Sequence, residues 1–495
     1  MSHHHGMTSL KGIHAFCQYG HEGARGDRFG RMFRRPPLYV RPDHLRRLGA
    51  PGGPMDGGTS SDRTSSVAVG QVFFGQFIDH DITLDVTSSL EEVNDESETP
   101  NVRTPTLDLD SVYGSGPEAS AYLYHASGEF AGVKLITGAD GTAAQVGGAP
   151  QPADLAAEDL ARTAHGIALI GDPRNDENRI ISQMHLAMLR FHNRVVDTLH
   201  SGAQNGAALS GHDLYEAARR LTTWHYQWVV VEDFLTAMCG QAVVDDILGN
   251  GRRFFCTDTS VPFVPIEFAT AAYRFGHSMI PLRIHIRRSD PTHHVFGPTL
   301  GRGFTPLSAE AAVVDWYELA DTTADRNVQM AEKLDSKLSP DLLALPFIQP
   351  PSEASLATRN LLRGQAFLLP SGEQIAHAME RPDDEIDHVS TAAQNIANSA
   401  DATIDLSSGT PLWFYLLVEA ERIGRETEPG LFEEREGLGP VGARIVAETI
   451  IGLLELDSRS YLAQNRSWHP DEGVGVTTLG EMLTFEVMQP DPVPA

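Results

Sequence analysis

Cysteine is scarce in this chain. Three in 495 residues, Cys17, Cys239 and Cys256, are too few, too widely spaced and odd in number for a disulfide framework, and no CxxC pair exists to hold a metal. Folding therefore does not depend on oxidation. Positive charge is short as well, with 38 Lys and Arg against 66 Asp and Glu, a formal charge of −28. That balance argues against nucleic acid or an anionic membrane as a partner and favours cations. No apolar run approaches the ~20 residues of a transmembrane helix, and Met1-Ser2-His3-His4-His5-Gly6 lacks the apolar core of a signal peptide. A cytoplasmic location is the default expectation, with export by another route open. The three histidines read as a disordered start or a tag remnant. Strand signals are few, and internal repeats and clean linkers are absent. The expectation is one mainly α domain with few or no strands.

At this length the chain can bury a large core. Residues 1–65, rich in Gly, Arg and Pro, are expected to form an irregular arm over a body spanning 66–495. Ile180, Met184, Met188, Phe191 and Val195 recur at helical spacing, which predicts a helix over 178–200. Leu221, Trp224, Trp228, Val231 and Leu235 predict another, and Phe268–Ile280 reads as helical around His277. Pro411 and Pro440 are placed to start helices, and Thr478-Leu479-Gly480-Glu481 matches a capping box. The stretch 138–160 reads as a loop, and the acidic runs Glu91–Glu98, Asp383–Asp387 and Glu426–Glu436 as solvated loops.

Several stretches could carry chemistry. In Gly75-Gln76-Phe77-Ile78-Asp79-His80-Asp81, a helix would put Gln76, Asp79 and His80 on one face and turn Asp81 away by roughly 100°. Its apolar neighbours imply burial, so Asp and His need partners or a metal. Taken alone, the stretch reads first as a core helix with a satisfied His–Asp pair. In Thr104-Pro105-Thr106-Leu107-Asp108-Leu109-Asp110, four oxygen-bearing side chains alternate, and with Asp81 they have the donor chemistry of a calcium site or, alternatively, of a polar edge strand. Gly171-Asp172-Pro173-Arg174-Asn175-Asp176-Glu177-Asn178 could hold a capping ion pair between Arg174 and Glu177, or supply charge to a developing oxyanion. Tyr273-Arg274-Phe275-Gly276-His277-Ser278-Met279 sets one histidine on an apolar helix. Ala357-Thr358-Arg359-Asn360-Leu361-Leu362-Arg363, ahead of Leu369-Pro370-Ser371-Gly372, reads as an ordinary helix and turn.

In this order, from about Phe73 to Leu454, the set GQFIDHD, LDLDSVYG, GDPRNDEN followed by MLRFHNR, YRFGH and RNLLRG ahead of LPSG resembles the animal-type haem peroxidase (peroxidase–cyclooxygenase) superfamily, particularly its bacterial members. The resemblance implies a single large, mainly α haem-peroxidase domain of animal type. It implies that His80 is the distal acid–base group towards hydrogen peroxide, that Arg174 stabilises negative charge as the O–O bond breaks, and that Gln76 holds distal water or a halide. His277 matches the proximal ligand of the haem iron, and Asn360 the acceptor of its other ring proton. Arg363 matches a haem-propionate partner, and Asp79 and Glu177 the positions that form ester bonds to haem. Haem b or an ester-linked derivative is thus the implied cofactor, and Asp81, Thr104, Thr106, Asp108 and Asp110 fall on calcium-ligand positions.

Two departures from the family pattern are visible. Asn178 stands where myeloperoxidase has a sulfonium-forming methionine, so that link and strong chloride oxidation are not expected. Arg274 stands where cyclooxygenases carry a radical-forming tyrosine, with Tyr273 beside it. The resemblance thus implies an enzyme using hydrogen peroxide to oxidise, through a ferryl intermediate, small organic donors or iodide, bromide or thiocyanate. Its alternative on the same fold is fatty-acid dioxygenation. Oligomeric state is not legible in the sequence.

Overall fold

The computed structural model describes residues 28–90, 92–140, 145–146, 149–202, 209–255, 261–288, 291–301, 303–320, 328–350 and 353–485. The N-terminal histidines, Cys17, Glu91 and Cys256 lie outside the described residues; Cys239 is a buried free thiol. The molecule is mainly helical. The strands among the described residues form five two-stranded ribbons and no larger sheet. One hydrophobic cluster runs from Phe29 to Leu483, so a single core joins both ends of the described chain. No helix among the described residues is long and apolar enough to cross a membrane.

Residues 28–65 pack onto this body. Phe29–Gly30 pairs in parallel with Val264–Pro265, Phe33, Leu45, Leu48 and Met55 are buried in the common core, and a helix, Pro42–Leu48, falls within the stretch expected to be irregular. Proline at its first position costs no hydrogen bond there.

Four helices frame the site. Helix α1 is Val69–Ile82, with 11 of its 14 residues buried, so its polar side chains must find partners inside the protein. Helix α2 is Arg179–His200, capped by the Asn178 side chain on the Ile181 amide. Helix α3 is Gly211–Val229, and it runs on through a π-helical turn, Val230–Leu235, that carries Phe234. Helix α4 is Leu356–Ala366, capped by Ser355.

Other expectations meet the structure as follows. The prolines at 411 and 440 start Leu412–Arg422 and Pro440–Leu456, and both capping-box bonds form at Thr478 and Glu481. Phe268–Ile280 is not one helix: α-helix Ile266–Thr270 breaks at Ala271, where φ is −135° and ψ −72°, and a 3-10 turn, Ala272–His277, follows. Asp383–Asp387 opens the helix Asp383–Ala400 instead of looping, because acids in a first turn complement the helix dipole. Glu426–Glu436 overlaps the antiparallel pair Arg425–Glu428 and Leu431–Glu433 instead of looping throughout. The stretch 138–160 holds a small hairpin and the short helix Ala153–Ala157.

Candidate active site

A cavity of about 770 Å³ opens between α1, the turn after residue 172, the 272–277 turn and α4. Gln76, Asp79, His80, Glu177, Asn178, Tyr273, Arg274, His277 and Arg359 bring polar atoms to it, and its remaining walls are largely apolar, Phe234 and Met238 among them. The two histidines that the sequence singles out thus line one cavity.

His80 is buried at 4% exposure. Its Nδ1 lies 2.8 Å from Asn175 Oδ1, and its Nε2 is 3.7 Å from Glu177 Oε1. Burial, reinforced by the nearby Arg174 charge, pulls its pKa down to about 4, so the ring is neutral at ordinary pH. The Gln76 amide donates to Glu177 Oε1, and Asn178 Nδ2 donates to Gln76 Oε1 at 3.4 Å. Burial pushes Glu177 up to about 7 against the opposing pull of Arg174. Asp79 Oδ1 accepts from Thr83 Oγ1 at 2.8 Å.

Arg174 is near His80, but its guanidinium is not part of the cavity wall. Nη2 donates to Asp172 Oδ2 at 2.7 Å and to the carbonyl oxygens of His80 and Thr83 at 3.0 and 2.7 Å. Asp172 is fully buried, and the last carbonyls of a helix are natural acceptors for a cation. The turn Pro173–Asp176 is held from behind by Arg162, whose buried guanidinium bonds both Asp159 and Asp176. Backbone crowding fixes it further. A Cβ on Gly171 would sit 2.5 Å from Ser111 O, and one on Gly303 only 2.0 Å from Glu177 O.

On the other side of the cavity, His277 Nδ1 lies 2.9 Å from the Asn360 side-chain amide. Burial, and then the like charge of Arg274, lowers the His277 pKa to about 3. Rotating that amide so that its oxygen faces the ring would hold the proton on Nδ1 and leave the Nε2 lone pair for a metal. Arg274 and Arg359 form a cationic wall, and burial together with Arg363 brings Arg274 down to about 10. Arg363 itself stands outside the cavity lining, bonded to Asp85 Oδ2 at 3.1 Å and Ser88 Oγ at 2.7 Å. Tyr273 is half-buried and stacks on Phe268 at 4.4 Å; its hydroxyl is buried and finds no hydrogen-bond partner among the described residues.

Behind α1, carboxylate oxygens of Asp81, Asp108 and Asp110 all lie within 4.8 Å of one another. Asp81 accepts from Leu109 N and Ser111 Oγ, each at 3.2 Å, and Thr104 Oγ1 donates to Asp108 at 2.7 Å. Burial, then Asp110 and Asp108, push Asp81 well above the carboxylate range; burial raises Asp110 to about 6 although Arg103 opposes it. Thr106 Oγ1 is buried with no hydrogen-bond partner among the described residues. The segment is not the extended strand that the alternation suggests. It is a bent loop in which Leu109 adopts φ 56°, and Asp110 begins the short helix Asp110–Tyr113.

Asn175, Arg274 and Arg359 lie within the motifs above but gain their place at the site only in the fold, and His185 lies in none of those motifs. Asn175 Nδ2 lies 3.0 Å from His185 Nδ1. The signal available was a histidine inside the buried apolar stripe of α2.

Fold and site define a mainly helical protein built around one large cavity, with a histidine from each of two separate segments in its walls and an acidic cluster directly behind. The family model described as animal haem peroxidase matches residues 84–381, more than half of the chain, and the chain belongs to that family. The matched span begins just after His80 and Asp81 and includes the segments of Asp108, Arg174, His277 and Asn360. Human eosinophil peroxidase is 33% identical over 132 residues, which is 26% of this chain and 18% of that protein. Thyroid peroxidase of Sus scrofa is 30% identical over 196 residues, 38% of this chain and 20% of that protein. The chain thus spans a fifth or less of the length of these relatives. Peroxidase A from Dictyostelium discoideum shares the fold with a TM-score of 0.62 at 15% identity, over 93% of each chain. Fatty acid alpha-dioxygenase from Arabidopsis thaliana does so at 0.56 and 16%, over 93% of this chain and 78% of that one.

Proposed function

We propose that this protein is a haem peroxidase that reduces hydrogen peroxide and oxidises small organic donors or iodide, bromide or thiocyanate. The observation that carries the reading is the pair of histidines in one cavity, each with Nδ1 against an asparagine amide and Nε2 left over. The cavity volume suits a prosthetic group. His277 would hold the iron, Asn360 would tie its ring, and Arg274 and Arg359 would meet carboxylates of the group. Asp79 and Glu177 reach the same cavity as candidates for ester attachment, and Arg363 would act from behind through Asp85. Haem b, or an ester-linked derivative, supplies the two-electron redox chemistry when bound.

The chain's own residues do the proton work. Neutral His80 takes a proton from peroxide at Nε2 and returns it to the leaving oxygen, which is general acid–base catalysis by one group. Arg174 reinforces the burial that keeps His80 neutral and braces the end of α1, and its charge favours the build-up of negative charge on the departing oxygen. Gln76 orients water or a halide beside Glu177. Calcium is the cation we assign to Asp81, Thr104, Thr106, Asp108 and Asp110. Hard oxygen donors, three mutually repelling carboxylates and an orphaned buried hydroxyl fit it.

Mixing the purified, haem-loaded protein with hydrogen peroxide in a stopped-flow spectrometer tests the reading. A Soret band that responds rapidly to peroxide, with a loss of at least about 100-fold in His80→Ala, is the expected result. A protein that takes up no haem, or whose haem reacts no faster than free haem, would overturn it. The second reading, fatty-acid dioxygenation, is favoured by the buried, unpartnered hydroxyl of Tyr273 at the cavity wall. Rapid stoichiometric oxygen uptake with linoleate would select it.

A further inference from the structure

We infer that Asn175 is a positioning residue that fixes the tautomer of His80, keeping the ring proton on Nδ1 and the Nε2 lone pair towards the cavity, and that His185 stops the Asn175 amide from turning over. The inference rests on the peroxidase reading and extends it to residues that do not touch the cavity.

A neutral imidazole has one donor and one acceptor nitrogen, and nothing in the ring itself decides strongly which is which. The choice falls to the partner of Nδ1. Asn175 Oδ1, at 2.8 Å, can only accept, so Nδ1 must carry the proton. An asparagine amide can present either end, however. Turned over, its NH2 would face His80 and the proton would move to Nε2, where a ring nitrogen can no longer take one from peroxide. The far end of the amide settles the matter here. Nδ2 is 3.0 Å from His185 Nδ1 and donates to it, which places the His185 proton on Nε2.

All three side chains are closed off, with His80 at 4% exposure and Asn175 and His185 at 0%. The amide has little room to adapt by moving, because its turn is locked by Arg162 on Asp176 and by the backbone contacts at Gly171 and Gly303. Such a chain costs His185 a satisfied Nε2, which is buried without a hydrogen-bond partner. A buried polar group left unpaired calls for an explanation. Orienting Asn175 is the one that the geometry offers.

The test uses the haem-loaded enzyme and three variants, Asn175→Leu, Asn175→Asp and His185→Leu. Two rates are read, the second-order reaction with hydrogen peroxide and the association of cyanide, whose acid form must also give up its proton near the distal base. Removing the acceptor strands a buried Nδ1–H and shifts the ring towards the wrong tautomer, so Asn175→Leu should slow both rates by about 10- to 100-fold. The apparent KM for the organic donor should stay where it was. Asn175→Asp restores an acceptor in the same place and should keep both rates within about threefold of the parent. His185→Leu should fall between them. Soret spectra and thermal midpoints confirm that each variant is folded and loaded, and if Asn175→Leu does not fold, the ordering of the other two against the parent carries the test. Parental rates in Asn175→Leu would overturn the inference. So would an Asn175→Asp variant as slow as Asn175→Leu, since shape and not hydrogen-bond acceptance would then be what counts. A His80→Ala variant at full speed would instead remove the peroxidase reading beneath it.

Discussion

Removing calcium should lower the thermal midpoint by an amount that the acidic cluster lets one work out. The carboxylates of Asp81, Asp108 and Asp110 lie within 4.8 Å of one another. At an effective dielectric constant of about 20, two unit charges at that distance repel by about 3.5 kcal/mol, so three ionised pairs amount to about 10 kcal/mol. Arg103, 3.0 Å from Asp110, offsets part of this. Without a cation the remainder is relieved by protonating Asp81, which burial and its two acidic neighbours hold well above the carboxylate range. With one, the three charges become ligands. At a calcium concentration about 100 times its dissociation constant, binding to the folded state alone adds about 2.7 kcal/mol. With an unfolding entropy of about 2.1 cal/mol/K per residue, that corresponds to about 2–3 °C for a chain of this length. Calorimetry in 1 mM calcium chloride and in EGTA would measure it. Asp108→Asn should abolish most of the difference, and magnesium should recover little, because it demands a tighter octahedral shell. Equal midpoints in calcium and EGTA, with no calcium in the protein as isolated, would refute the assignment.

Two further perturbations separate the cofactor site from the scaffold. Asn360→Leu removes the hydrogen-bond partner of His277 Nδ1 and should weaken haem retention about 10- to 100-fold, read by Soret titration or by transfer to apomyoglobin; retention equal to the parent would exclude Asn360 as the proximal tether. Glu419 is fully buried, and burial raises its pKa to about 8, although the amides of Val441 and Gly442 donate to it. Its folded-state pKa lies above the unfolded one, so its stabilising contribution is complete below about pH 4.5 and is lost as pH rises towards about 8. Urea midpoints at pH 5 and 8.5 should therefore differ less in Glu419→Gln than in the parent, and an unchanged difference would contradict the assignment.

How much of this was legible in the sequence depended on whether the deciding interactions were local. Helix α2 was readable because its stripe of Ile180, Met184, Met188, Phe191 and Val195 is a property of one segment. The capping box at Thr478 and the proline starts at 411 and 440 are local in the same sense. Over Phe268–Ile280 periodicity does not distinguish a continuous helix from an α turn followed by a 3-10 turn, and the backbone at Ala271 decides between them. Composition identifies the carboxylate cluster, but no extended strand assembles it. Leu109 in the left-handed region turns Asp108 and Asp110 together instead. His185 was invisible as a functional residue because its meaning lies in a contact with Asn175, ten residues away on a different element.

The placement of Arg174 shows how the two halves of the site depend on each other. A motif match assigns this residue to the reacting oxygen, whereas in the structure its guanidinium is held by Asp172, by His80 O in the last turn of α1 and by Thr83 O just past its end. Asp172 is also 3.3 Å from Arg103 Nε, and Arg103 reaches Asp110 in the acidic cluster at 3.0 Å. The charges therefore alternate in an unbroken line from Asp110 through Arg103, Asp172 and Arg174 to the backbone of His80. Adjacent residues of α1 serve opposite ends of that line: His80 faces the cavity, while Asp81 joins the carboxylates. A cation bound behind the helix would draw Asp110 away from Arg103, leaving that guanidinium freer to share Asp172 and loosening its hold on Arg174. Through that line a cation behind the helix would act on the charge beside His80, across the one helix that carries both His80 and Asp81.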